Sequence, residues 1–190
     1  LHLLLNVLDG HAVNMPNDNS RQLDLLVSHL HHIHDYLNNA PQPVSVQSPK
    51  RKDNNTSTSS QILQVLEQVC LLSRKLNHPL LSACAITHMV LETIKSGPNS
   101  HSAFSFASFA WVASWFCADI TTAKQSAQLS RLYLMSHPHG VTNHLSTSRP
   151  LDPSLILSSQ VEHWLLPVEK VKHHLNEIIS SCSERHLILE

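Results

Sequence analysis

The chain is 190 residues long, carries a formal net charge of -1, and has only 14% charged residues. That charged share lies well below the roughly 25% of ordinary soluble domains, so much of the polarity comes from uncharged Asn, Ser and His. Near-neutrality leaves no global field to draw in nucleic acid or an acidic membrane surface, and the length suffices for one core.

Leu1 to Leu8 reads as a helix ending at Asp9-Gly10. It lacks the basic flank and small-residue cleavage site of a signal peptide. A polar loop with Pro16 follows, and Asn19 or Ser20 is the expected cap of the next helix. From Arg21 to Asn38, the residues Leu23, Leu26, Leu30, Ile33 and Leu37 form one apolar stripe at helical spacing. Residues 40–59 hold Pro41, Pro43, Pro49, the basic triplet Lys50-Arg51-Lys52 and a run of Asn, Thr and Ser. That composition buries too little apolar surface to offset the entropy of ordering, and a disordered polar insertion is expected.

Ser59 or Ser60 is expected to cap a helix reaching about Leu76, with Ile62, Val65, Leu66, Val69 and Leu72 facing inward. Asn77-His78-Pro79 restarts the chain, because proline fits the first turn of a helix and disfavours helical geometry in the residue before it. The next helix runs to Ser96 and stops at Gly97, with Asn99 or Ser100 opening another. From Ser102 to Ala118 that helix holds Phe104, Phe106, Phe109, Trp111, Trp115 and Phe116 without a charge, which predicts burial on nearly every side. The turn at Gly97-Pro98-Asn99 keeps the uncharged run shorter than the roughly 20 residues a membrane span needs. Asp119 is expected to cap the following helix, whose row Ile120, Ala123, Ala127, Ser130 and Leu134 lets another backbone come close. An antiparallel pair from Ser102 to Met135 is the centre of the predicted fold.

A long polar loop is expected at 137–152, then helices over 153–190 with Leu157, Val161 and Trp164, and after Pro167 with Val168, Val171, Leu175, Ile178 and Cys182, on their buried sides. The prediction is an all-α chain of seven or eight antiparallel helices stacked as a repeat array, with units 1–39, 60–136 and 153–190. Leu1 is not a methionine and a helical pattern still runs at Glu190, so the expectation is a segment that continues beyond both ends.

The sixteen histidines raise the question of a metal. In the densest cluster, His29 and His32 lie on one flank of the stripe while His31 and His34 lie on the other, so the four do not converge on one ion. Solvated histidines are the plainer reading, and no metal site is expected. Ser and His are plentiful, but no GxSxG elbow, reactive cysteine setting or Gly-rich phosphate loop accompanies them, so no catalytic residue is assigned. Cys70, Cys84, Cys117 and Cys182 stand far apart in apolar patterns and read as reduced core residues of an intracellular, cytoplasmic protein. Lys50, Arg51 and Lys52 could act in nuclear import, although plain solubilising charge is the simpler account. Phe104, Trp111 and Trp115 are expected in the core, with a ligand groove as the alternative.

From Asn77 onward, the order of features resembles the tetratricopeptide-like helical region of very large signalling proteins. Those proteins combine a protein-kinase-like domain, an AAA-type ATPase, a GAF sensor and a histidine kinase. The pieces are Asn77-His78-Pro79-Leu80-Leu81, Gly97-Pro98-Asn99-Ser100 followed by Ala103-Phe104, Ala118-Asp119-Ile120, and His163-Trp164 with Pro167. At the hairpin turn the family's usual Gly-Asp is Ala118-Asp119 here. The resemblance implies structural roles for Pro79, Gly97, Asp119, His163, Trp164 and Pro167. It also implies a non-catalytic segment without a cofactor, ATP belonging to the parent protein, and partners among the other domains of the same chain. A free-standing peptide-binding adaptor with Asn- and Arg-lined grooves is the alternative, and a His-dependent metalloprotein the third.

Overall fold

A computed structural model describes residues 1–39 and 56–136, together with the helical Asn176. Among these the chain forms six helices and no strand: α1 (His2–Gly10), α2 (Asn19–Asn39), α3 (Thr56–Lys75), α4 (Pro79–Ser96), α5 (Ser102–Trp115) and α6 (Ile120–Ser136). The expected insertion up to residue 55, the loop at 137–152 and, Asn176 apart, the helices at 153–190 lie outside the described residues. Helix α3 opens at Thr56, so the tail of the segment expected to be unstructured is helical and the cap does not fall at Ser59 or Ser60.

The helix ends follow from local chemistry. The cap of α2 is Asp18, one residue ahead of the expected Asn19: its carboxylate accepts from the Arg21 amide at 2.9 Å. At the end of α3, the Asn77 amide bonds to Arg74 O and the His78 amide to Ser73 O, with Asn77 at φ 56. This is a Schellman stop, after which Pro79 takes the first position of α4. Helix α1 stops in the same way, but the left-handed residue is Ala12 (φ 59), while the expected stop signal Gly10 is still helical. Gly97 ends α4 at φ 85 and ψ 174, a region open essentially to glycine alone.

Neighbouring helices pair through side-chain bonds that fix their direction. Ser130 Oγ donates to Ala103 O at 2.7 Å and the Asp119 amide to Ala113 O at 2.9 Å, so α5 and α6 are antiparallel. In α3 and α4, Ser59 Oγ donates to Glu92 Oε1 at 2.7 Å while Cys70 Sγ lies 3.6 Å from Ser82 Oγ, again antiparallel. Helices α2 and α4 instead run in the same sense, because Cys84 Sγ donates to Gln22 O at 3.1 Å and His29 meets Thr87 further along both.

Among the described residues the helix with most neighbours is α4, not α5: it packs on α2, α3 and α5. Seven consecutive residues, Leu81 to Thr87, are buried, and the small Ser82, Ala83, Cys84 and Ala85 among them let helices approach from several sides. Packing also departs from chain order, since α2 touches α6 as well as α4. The buried stripe of α2 is Gln22, Leu26, His29, Ile33 and Leu37, so Leu23, expected inside, is 51% exposed. On α5 burial is nearly all round from Ser102 to Ala110, but the helix ends at Trp115, short of Ala118. Val112 and Ala113 in its last turn are still buried, but Trp115 is 63% and Phe116 39% exposed, and Ile120 at the start of α6 is exposed too. Cys70 and Cys84 are core thiols, whereas Cys117 in the same turn is exposed.

Candidate functional site

The buried stripe occupies only one side of α2. Next to it, Leu23, Val27, Leu30 and His34 recur at helical spacing and form a second, outward stripe. Opposite Val27, Leu30 and His34 stand Phe109 and Ala113 of α5, and the gap between is an open apolar groove of about 330 Å³. Cys117, Asp119 and Thr122 around the α5–α6 turn, and His31 of α2, complete its lining.

The turn is shaped by two residues. Ala118 adopts φ 51, a left-handed conformation that an L-residue with a Cβ takes only at a cost. Asp119 then caps α6: its carboxylate accepts from the Thr122 amide at 3.0 Å and from the Thr122 hydroxyl at 2.6 Å. Burial opposes ionisation of Asp119, but the Thr122 bonds and the nearby His34 outweigh it and hold the carboxyl below its usual range. Partial desolvation at the turn, with the Asp119 charge adding to it, raises the thiol of the largely exposed Cys117, while full burial pushes the Cys84 thiol to about 11 and Cys70 up as well. All three are thiols, not thiolate nucleophiles, at neutral pH.

A second, more polar cleft of about 450 Å³ lies at the other end of α2, between α1, the start of α2 and the α3–α4 joint. Asn17, Asn19, Asn77 and His78 give it polar walls, and Pro79 is in its lining. Gln22 is committed elsewhere, donating from Nε2 to Pro16 O at 2.7 Å.

Where α2 meets α4 stands a histidine pair, His29 buried and His88 half-buried. His29 Nδ1 lies 2.9 Å from Thr87 Oγ1, whose hydroxyl donates to Cys84 O at 3.0 Å, so the imidazole is the donor to Thr87. The His29 and His88 rings meet edge-on at 4.9 Å. Burial lowers the His29 pKa to about 4, helped by His88 and His32, and burial lowers that of His88 also. The histidine cluster of α2 is thus split three ways: His29 inward, His31 and His34 to the groove, His32 exposed to solvent. Among the described residues, no three His, Cys, Asp or Glu side chains converge where an ion could be held.

Of the residues singled out by sequence, Pro79 lies in the polar cleft, Gly97 at the end of α4 and Asp119 at the apolar groove, so the fold does not gather them into one site. His163, Trp164 and Pro167 lie outside the described residues. Phe104 is buried, Trp111 half-buried with the Arg74 guanidinium 4.4 Å above its ring, and Trp115 exposed, which corrects the expectation of a fully buried aromatic row. The groove is hidden in the sequence because Leu23 and Leu30 also fit the core stripe by spacing. The signal that separates them is Val27, which lies off that stripe and on theirs. Among the described residues no helix is long and apolar enough to cross a membrane. In comparisons with protein families, curated proteins and solved structures, no match to this chain is found.

Proposed function

We propose that the chain is a non-catalytic helical scaffold that docks other polypeptide segments, as part of a large signal-transduction kinase in which it couples an ATPase module to sensor and kinase modules. The observation that carries the docking role is the open apolar groove between α2 and α5, lined by Val27, Leu30, Phe109 and Ala113. Val27 and Leu30 are partly exposed above the buried Phe109 and Ala113, and apolar side chains exposed in a concave setting gain free energy when covered by another apolar surface. The antiparallel pairs α3–α4 and α5–α6, joined by short turns, support a tetratricopeptide-like repeat. In that reading the stack is curled enough to bring α2 against α6. Its place in a kinase rests on the sequence resemblance, and its mechanism is a change of curvature in the stack when the groove is filled.

The test is a titration of the purified 190-residue chain with amphipathic helical peptides of different flank charge, followed by amide resonances. Saturable shifts at Val27, Leu30 and Ala113 are expected. Absence of shifts with every peptide sinks the docking role, and ATP hydrolysis or phosphate transfer by the purified chain sinks the non-catalytic one. The Asn-walled cleft favours a second reading, a free-standing peptide-binding adaptor in the cytoplasm. An open reading frame without flanking ATPase, GAF or kinase modules would select it.

A further inference from the structure

We propose that the groove between α2 and α5 receives a basic amphipathic helix of a separate polypeptide, an inference that rests on the docking role above and adds the partner's chemistry. The shape argument comes first. The outward stripe Leu23, Val27, Leu30 and His34 spans eleven residue steps of α2, which at 1.5 Å per residue is about 16 Å, or three helical turns. Leu23 and Val27 are each about half exposed, at 51% and 47%. A partner helix with apolar residues at i, i+4 and i+7 presents anchors at that same repeat, so its side chains interdigitate with the stripe above a floor built on the buried Phe109 and Ala113.

Charge decides which helix. On α2, Asp24 and Asp35 share a helical row with His31, which lines the groove, and both are exposed. Asp119 adds a third carboxylate at the α5–α6 turn, kept ionised by the Thr122 bonds and the nearby His34. Among the described residues no Lys or Arg lines the groove, and its basic side chains are His31 and His34. The only Arg of α2, Arg21, is held by Asp18 at 3.4 Å, and Lys124 shares its face of α6 with Ile120 and not with Thr122. An acidic rim around an apolar floor repels phosphate-rich surfaces such as anionic membranes and nucleic acid, and selects Lys and Arg on the flanks of an entering helix.

Three synthetic peptides of about 20 residues, sharing one leucine stripe and differing only in Lys/Arg, Gln or Glu flanks, test this on the intact chain by fluorescence anisotropy. The basic peptide is expected to bind about tenfold or more tighter than the acidic one, with the advantage shrinking as salt rises. The double variant Asp24→Asn with Asp35→Asn should weaken the basic peptide about fivefold and leave the Gln peptide unchanged, its folding checked by an unaltered melting curve. Equal binding of all three peptides, or no effect of the double variant, overturns the basic partner while leaving the docking role standing. No binding by any peptide overturns both, and a groove-dependent dimer in sedimentation that excludes peptide replaces the separate partner with a second copy of the chain.

Discussion

Two positions with positive φ have opposite occupants, and that contrast is testable. Gly97 takes φ 85 and ψ 174, and a Cβ built there would meet nothing within 4 Å, so the space is open and only the backbone is demanding. Gly97→Ala is expected to cost about 1–3 kcal/mol in urea unfolding, with the m-value unchanged. Ala118 carries the reverse mismatch, an L-residue at φ 51. Ala118→Gly relieves a left-handed penalty of roughly 1–2 kcal/mol, part of which returns as unfolded-chain entropy, so a gain of about 0.5–1 kcal/mol is expected. Beside it, Asp119→Ala removes both Thr122 bonds and should cost about 1 kcal/mol.

For a helix, what matters is which side it shows to a neighbour. The α5–α6 pair depends on small residues where the backbones approach: Ala123, Ser126, Ala127 and Ser130 are all buried, and Ser130 reaches a main-chain oxygen of α5. Ala127→Leu inserts volume into that seam and is expected to destabilise by about 1–3 kcal/mol, read as a lowered urea midpoint. This close row was legible in the sequence for Ala123, Ala127 and Ser130, since small residues at helical spacing have few other uses. For Ile120 it was not, because the first residue of α6 sits beyond the seam, exposed. Helix α2 shows the limit of periodicity more sharply. Leu23, Leu26, Leu30, Ile33 and Leu37 fit one broad stripe by spacing, yet Gln22 and His29 are buried in place of Leu23. Each polar newcomer brings its own hydrogen bond, Gln22 to Pro16 O and His29 to Thr87, which removes the cost of burial and lets the helix rotate.

Across the whole molecule, the contact of α2 with α4 is expected to be sensitive to acid. His29 (pKa about 4 when folded, against 6.5) and His88, also lowered, are kept neutral by burial, with His32, Glu92 and Lys95 the charged or titratable groups acting on the pair. The unfolded chain therefore takes up protons first as pH falls. Stability should be fully present above about pH 6.5 and fall towards pH 4, by at most ~1.4 kcal/mol per pH unit for each histidine. Denaturant midpoints measured from pH 7.5 to 4.5 check this. His29→Gln should flatten the profile, and an unchanged slope would assign the acid sensitivity elsewhere.

The all-helical class, the helix breaks at Asn77–Pro79 and around Gly97–His101, the Asp119 cap and the α5–α6 hairpin were determined by the sequence itself. Each rests on chemistry within a few residues: a proline without an amide, a glycine free of Cβ, a carboxylate within reach of the next turn. Which helix becomes the hub, which side of α2 is left outward, and that Trp115 emerges from the end of α5 were decided by the tertiary structure. The reason is that burial depends on neighbours distant in sequence. A stripe of leucines reports that a face is apolar, and only the arrival of α4 on one side and α5 on the other divides that face into a core and an open groove.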